Sequence, residues 1–228
     1  MTHTEQSTPA RILAMAEPLF AAHGFDGTSL RAIAAAAHIP VGGIAYHFGS
    51  KDGLYRAIWE RRMHGVGVEH LLDRNGLPDA STRAEGLRRI ITAFFAGPRA
   101  ILQQEGGHHF IAIMVREAHD PRRADRGMIA HFVQPNAMKI HAALTDLCPH
   151  LSAERVHVGF LMTISALRLV IEDQPSPERR DISVLADFDR QLSIVTDFVV
   201  AGWLGMLNEV AGTSACRPSD WPGPSCRG

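Results

Sequence analysis

The chain has 228 residues, 46% hydrophobic and 21% charged, with a formal net charge of −1 at pH 7. That length suits one large or two small domains with a real hydrophobic core, and no run reaches the roughly 20 apolar residues of a membrane span. The near-neutral balance excludes a strong positive field, so any contact with nucleic acid has to come from local geometry and the pairing of two subunits.

"MTHTEQSTPARIL" lacks a basic start followed by an apolar stretch, so no export signal is expected and the chain is placed in the cytoplasm. "TPARILAMAEPLFAAHG" then predicts the first helix, with Thr8 as N-cap and Pro9 at the first helical position. Ile12, Met15, Ala16, Leu19 and Phe20 line one face, and Gly24 is expected to end it. "TSLRAIAAAAH" is the second helix, capped by Thr28 or Ser29, with Leu30, Ile33, Ala34 and Ala37 inward. A turn at "HIP" leads to the third, "VGGIAYHF", and Gly49-Ser50 starts a fourth from Lys51 to about Leu72.

The linker "DRNGLPDAS" precedes further helices at about 82–96, 108–118, 124–147, 153–171 and 185–208. Their breaks are Gly97-Pro98, Asp120-Pro121, "CPHLS" and "EDQPSPERRD", and Pro135 should kink or split the seventh. Strand signals are almost absent, so the fold class is all-α with about nine helices. A three-helix head (1–54) carries a larger helical body (55–210), and the turn-rich tail 211–228 is expected to lack fixed structure. The three cysteines, Cys148, Cys216 and Cys226, make no disulfide framework, and Cys148 reads as a small buried hydrophobe more readily than as a redox sensor.

The third helix poses a question. Gly42 and Gly43 stand side by side in it, although each costs about 1 kcal/mol against alanine in a helix interior. Helices two and three have the spacing of a helix-turn-helix. From Arg11 to Ile58, "LFAAHGFDGTSLRAIA" followed by small residues at the turn and "YHFGSKDGL" resembles the N-terminal domain of TetR/AcrR-type transcriptional repressors. The ending "YHFGSK", with Gly49 where many members have proline, is similar to the branch that includes CecR-type regulators.

The resemblance implies a DNA-binding head in which Thr28 and Ser29 offer hydroxyls and amides to phosphate and Arg31 lies along the backbone or a groove edge. Pro40, Val41, Gly42 and Gly43 would lead the third helix into the major groove. Tyr46, His47 and Lys51 would meet phosphates. The glycines would then let the backbone approach the duplex closely, with Val41 on thymine methyls and shape readout taking a larger share. Ala45 stands where the wider family usually has Tyr, and Val41 near a usual Lys. Phe48 reads as core.

The resemblance also implies a body that binds a small-molecule inducer and dimerises through helices eight and nine. Both are apolar over more than one face. Polar residues stranded on apolar rows nominate the ligand contacts: His64, His109 with Phe110 and Ile113, Phe132 with Asn136, and Arg168. Competing readings are an acid partner for Arg168 across the dimer, and Asn136 satisfying carbonyls freed by Pro135. Arginine and histidine in a Phe- and Met-lined cavity would suit a small aromatic or amphipathic anion.

No enzyme motif is present. "GGIAYHFGSK" has the wrong spacing and order for a P-loop, "GVGVEH" lacks a third glycine, and neither G-x-S-x-G nor H-E-x-x-H occurs. Thirteen histidines give no ligand-like spacing. Neither a metal nor a cofactor is expected. The rival to a DNA-binding regulator is a helical ligand-carrier or interaction protein with a degenerate head.

Overall fold

A computed structural model describes residues 8–68, 82–172 and 188–211, which form ten α-helices and one π-helical turn with no strand. The head comprises α1 (Thr8–Gly27), α2 (Leu30–Ala36) and α3 (Val41–Phe48), and α4 (Lys51–Met63) leads out of it. The body contains α5 (Arg83–Leu102), α6 (Gly107–His119), the short α7 (Arg123–Arg126), a π-helical turn (Ile129–Val133), α8 (Gln134–Leu147), α9 (Ala153–Glu172) and α10 (Phe188–Ala211). The all-α expectation is therefore met, one helix above the expected count. No helix among the described residues is long and apolar enough to cross a membrane.

Several boundaries follow from local chemistry. Gly24 leaves helical geometry at φ +71, so α1 breaks where expected although its last turn resumes to Gly27. Ser29, not Thr28, caps α2, its Oγ accepting from the Ala32 amide at 3.1 Å. Ser50 caps α4 through the Gly53 amide at 3.0 Å. The Ser152 hydroxyl accepts from the Arg155 amide at 3.3 Å at the start of α9. His38, in the turn between α2 and α3, takes φ +51, an angle that side-chain-bearing residues adopt rarely.

Three expectations need correction. The fourth helix stops at Met63, because the chain turns at Gly65 with φ +73. Gly97-Pro98 does not end a helix: α5 runs through Pro98 to Leu102. Pro98 removes one amide from the ladder, but α5 is packed against α10, α8 and α6 along its length, and that burial holds the helix together. The single helix expected over 124–147 is three pieces, and Pro135 sits in the first turn of α8, directly after the π-helical turn. The linker from 73, the start of the last helix before 188 and the tail from 212 lie outside the described residues.

Two contacts fix the arrangement. On α9, a Cβ at Gly159 would lie within 2.8 Å of the Trp203 ring, so only glycine admits the indole of α10. Trp203 Nε1 then donates to the Thr163 hydroxyl at 3.0 Å in a buried site. At the other end of the molecule, Glu17 of α1 is 2% exposed in an apolar face. Arg62 holds its carboxylate through Nε at 2.7 Å and Nη2 at 3.0 Å, and Arg61 adds a further contact. Arg62 also donates to Gln104 Oε1 at 3.0 Å and to the Glu105 carbonyl at 2.8 Å, tying α1 and α4 to the α5–α6 connection.

Removing one member of such a pair strands the other charge in a dry site, which typically costs about 3–5 kcal/mol. Arg62→Ala should lose stability on that scale in urea denaturation. Arg99→Ala, which breaks the exposed α5–α10 pair with Asp189 at 2.6 Å, should lose less than about 1 kcal/mol.

Candidate DNA-binding surface and ligand cavity

On the head, α2 and α3 present their polar residues outward around a small apolar interior of Phe20, Ile33, Ala34 and Ile44. Ser29, Arg31, Pro40, Val41, Gly42, Tyr46 and His47 are exposed together on this side, Tyr46 at 86%. A Cβ added at Gly42 would meet nothing within 4 Å, and one at Gly43 only the Ile39 side chain at 3.4 Å. Neither glycine is demanded by the packing of this chain. The pair leaves the front of α3 bare toward whatever lies outside.

Two of the nominated residues are placed differently from expectation. Thr28 is 2% exposed, and its hydroxyl lies 2.7 Å from the Gly24 carbonyl and 3.1 Å from the Leu19 carbonyl. That hydroxyl is spent closing the end of α1 and is not available to a phosphate. Lys51 is half-buried, with Nζ 3.4 Å from the Asp26 carbonyl and 4.6 Å from the centre of the Phe25 ring. Burial, opposed by Asp52, holds its pKa below that of an ordinary lysine. Gly49 ends α3 at φ +72, an angle closed to proline.

The head meets the body along the last turn of α6. Arg116 donates to the Ala22 carbonyl at 3.1 Å, and Tyr55 of α4 donates to buried Glu117 at 3.1 Å. Burial, then the Glu117 charge, pushes the Tyr55 pKa well above its ordinary value. Arg126 bridges Glu117 at 3.0 Å and Asp120 at 2.6 Å and lies 5.0 Å from the Phe25 ring, while Arg122 pairs with Asp26. The Arg122 amide and the Arg126 guanidinium hold Asp120 below the usual carboxylate range.

Inside the body, a cavity of about 380 Å³ opens between the end of α4, α5, α6, the π-helical turn, α8 and α9. That is within the range of small-molecule sites, about 300–1,000 Å³. Its walls are overwhelmingly apolar, with Phe94, Ile101, Met114, Ile129 and Leu167 among them. Gly97 and Pro98 of α5 and Ile129 and Val133 of the π-helical turn all face the space. Single π-helical turns of this kind recur at functional sites.

Of the nominated contacts, Asn136 and Arg168 line this cavity and the other five do not. Phe110 is fully buried against Trp59, with ring centres 5.0 Å apart, and Phe132 stacks on the same indole at 5.8 Å. Ile113 faces a second, more polar cavity of about 290 Å³ at the head–body junction, beside Tyr55 and Glu117. His109 sits beside Arg62, with its pKa lowered by burial and then by His108, and His64 is exposed at the end of α4. Asn136 donates to the Val66 carbonyl at 2.8 Å, so it serves the turn after α4 and not a carbonyl freed by Pro135. His119, absent from the sequence-based set, closes α6 and accepts from Arg168 Nη1 at 2.7 Å.

Cys148 is 1% exposed at the end of α8, and burial raises its thiol pKa, which disfavours the reactive thiolate. Among the described residues, no group of three or more His, Cys, Asp or Glu side chains comes together as a metal would require.

No curated protein matches this chain in sequence. Solved structures match over nearly all of it. A TetR regulator, SCO3833 from Streptomyces coelicolor A3, is 19% identical with a TM-score of 0.62, covering 86% of this chain and 92% of that one. The fatty acid degradation regulator FadR from Bacillus halodurans is 16% identical with a TM-score of 0.60, covering 87% and 97%. FadR from Bacillus subtilis in complex with stearoyl-CoA is 15% identical with a TM-score of 0.58, covering 84% and 97%. At such identities the likeness speaks for the fold. The family models add the sequence: residues 12–58 match the tetR family of bacterial regulatory proteins, and residues 92–202 match the tetracyclin repressor-like C-terminal domain. With both its helix-turn-helix head and its helical body matched, the chain belongs to the TetR family of transcriptional regulators.

Proposed function

We propose that this regulator is a cytoplasmic repressor that binds operator DNA as a homodimer and is released by a small amphipathic anion held in the body cavity. The observation that carries the reading is the shared use of α4. Its first turn holds Lys51 beside the DNA-facing surface, and Met63 in its last turn lines the cavity. A ligand that favours one placement of that last turn therefore favours one placement of the head. The apolar walls with Arg168 at their edge suit an apolar body and an anionic end. The FadR relative that holds stearoyl-CoA is an amphipathic-anion precedent within the same fold. The "YHFGSK" ending supports a position near the CecR-like branch.

Ser29, Arg31, Tyr46 and His47 are the exposed residues suited to phosphate, and the bare front of α3 at Gly42 allows the backbone to approach base edges and thymine methyls beside Val41. A homodimer follows from α9 and α10, whose outer faces expose Met162, Leu169 at 69% and Phe198 at 77%. Two heads on one rigid dimer reach two successive major grooves, which a single head with so little net charge cannot exploit.

The direct test is fluorescence anisotropy of the full chain on duplexes tiled across its own upstream region, at two salt concentrations. Sequence-selective binding that weakens with salt is expected. Binding no tighter than to scrambled DNA would favour the ligand-carrier reading. Gly42→Ala should raise folding stability by about 1 kcal/mol, since nothing in the chain opposes the methyl, yet weaken operator binding by obstructing the backbone approach. Phe198→Glu should give a monomer by sedimentation with an unchanged helical spectrum.

A further inference from the structure

Granted the reading of the head as an operator-binding surface, we infer that His38 is a further contact of that surface: its imidazole donates a hydrogen bond to a DNA phosphate beside the leading end of α3.

The backbone around His38 is shaped for a different residue. Past the end of α2 the Ile39 amide donates to the Ala34 carbonyl at 3.0 Å and the His38 amide to the Ala35 carbonyl at 3.1 Å. This pair of bonds is a Schellman cap, and it requires His38 to be left-handed. Glycine is the usual occupant, because it has no Cβ to crowd the neighbouring carbonyl. His38 is the only residue other than glycine at positive φ among the described residues, at +51. Histidine tolerates that region better than most side chains, yet glycine would fold there at lower cost.

Nothing inside the chain offsets that cost. The His38 side chain is exposed, and among the described residues no hydrogen bond, ion pair or ring contact engages it. Strained backbone held without an internal partner marks a functional position.

The surrounding sequence sharpens the point. From Ala32 to Ala45 every other side chain is apolar or absent. That stretch covers most of α2, the turn and the front of α3. His38 is therefore its single side chain able to hydrogen-bond to nucleic acid. In a helix-turn-helix the first helix crosses the DNA backbone and the leading end of the second enters the major groove. His38 stands in the turn between them, with Pro40, Val41 and Gly42 exposed directly after it. A side chain there meets the rim of the groove, where phosphates run, before the floor, where base edges lie. A phosphate oxygen only accepts, and imidazole offers a donor whether neutral or charged. Such a contact fixes the register of a helix whose own front carries no polar side chain.

The experiment uses the full chain with three substitutions, the upstream duplex it binds most tightly and a scrambled duplex of equal length, at low and moderate salt. Thermal melting at one protein concentration and fluorescence anisotropy are the readouts. His38→Gly should melt about 2 °C higher, through relief of the left-handed strain. It should also bind both duplexes about tenfold more weakly, since a phosphate contact carries no sequence information. Asn and Asp share one shape and both tolerate left-handed backbone, so their difference reads charge alone. His38→Asn, which keeps a donor, should stay within about threefold of wild type. His38→Asp should bind at least about tenfold more weakly than His38→Asn, and that gap should narrow as salt rises. Position 38 is exposed, so all three variants are expected to fold, which circular dichroism checks.

Wild-type affinity in His38→Gly overturns the inference and leaves His38 as a tolerated turn residue. Equal affinities for the Asn and Asp variants overturn it too, because no phosphate then lies nearby. A loss confined to the upstream duplex overturns it in favour of a base contact. If the wild-type protein binds neither duplex at low salt, the inference falls together with the operator-binding reading.

Discussion

A carboxylate buried in an apolar helix face sets the terms for the rest of this molecule. Glu17 of α1 is held by Arg62, and Arg62 spends its remaining donors on Gln104 and the Glu105 carbonyl. Neither charge can be left alone in so dry a site, so α1, α4 and the α5–α6 connection must be brought to one geometry or the network is broken. The network costs desolvation but specifies position. It places the end of α4, and with it the turn carrying Val66 and the lower wall of the cavity.

The same network changes the electrostatics of the head. Arg61 and Arg62 count as basic in the composition, yet both are drawn to the Glu17 carboxylate, which offsets one of their two charges away from the exposed face of α2 and α3. Lys51 is drawn to Asp26 and Phe25. What the head offers to DNA is thus a modest set of hydroxyl, ring and guanidinium groups around a bare backbone. A head so composed has to draw affinity from fit, and the proposed dimer would add a second head. The adjacent glycines make sense in those terms, since a methyl at Gly42 would be tolerated by the fold and is still absent.

Body and head are joined by two routes of different character. One is α4 itself, a rigid element shared by both. The other is the last turn of α6, where Arg116 reaches α1, Glu117 reaches α4 and α7, and His119 reaches α9. Rigid packing transmits displacement, whereas a polar cluster with competing partners has discrete alternatives. The junction cavity beside Tyr55 and Glu117 gives those alternatives room.

Sequence patterning by itself determined the all-α class, the helix-turn-helix head with its inward Phe20 and Ile33, the Ser50 helix start and the break at Pro135. Each of these depends on neighbours within a few residues, through apolar period, caps and proline geometry. Only the tertiary structure decided that α5 passes through Pro98, because contacts from α10 and α8 outweigh one missing amide. Only it showed that Thr28 turns inward to close α1, that Phe110 and Phe132 belong to the Trp59 cluster, and that His109 faces the Glu17–Arg62 pair. An apolar row shows which face of a helix is buried, but not which cavity or which partner lies behind it. His119 is the clearest case: its environment is made by α9 and by the carbonyl one turn back, and the contact with α9 exists only after the chain has folded.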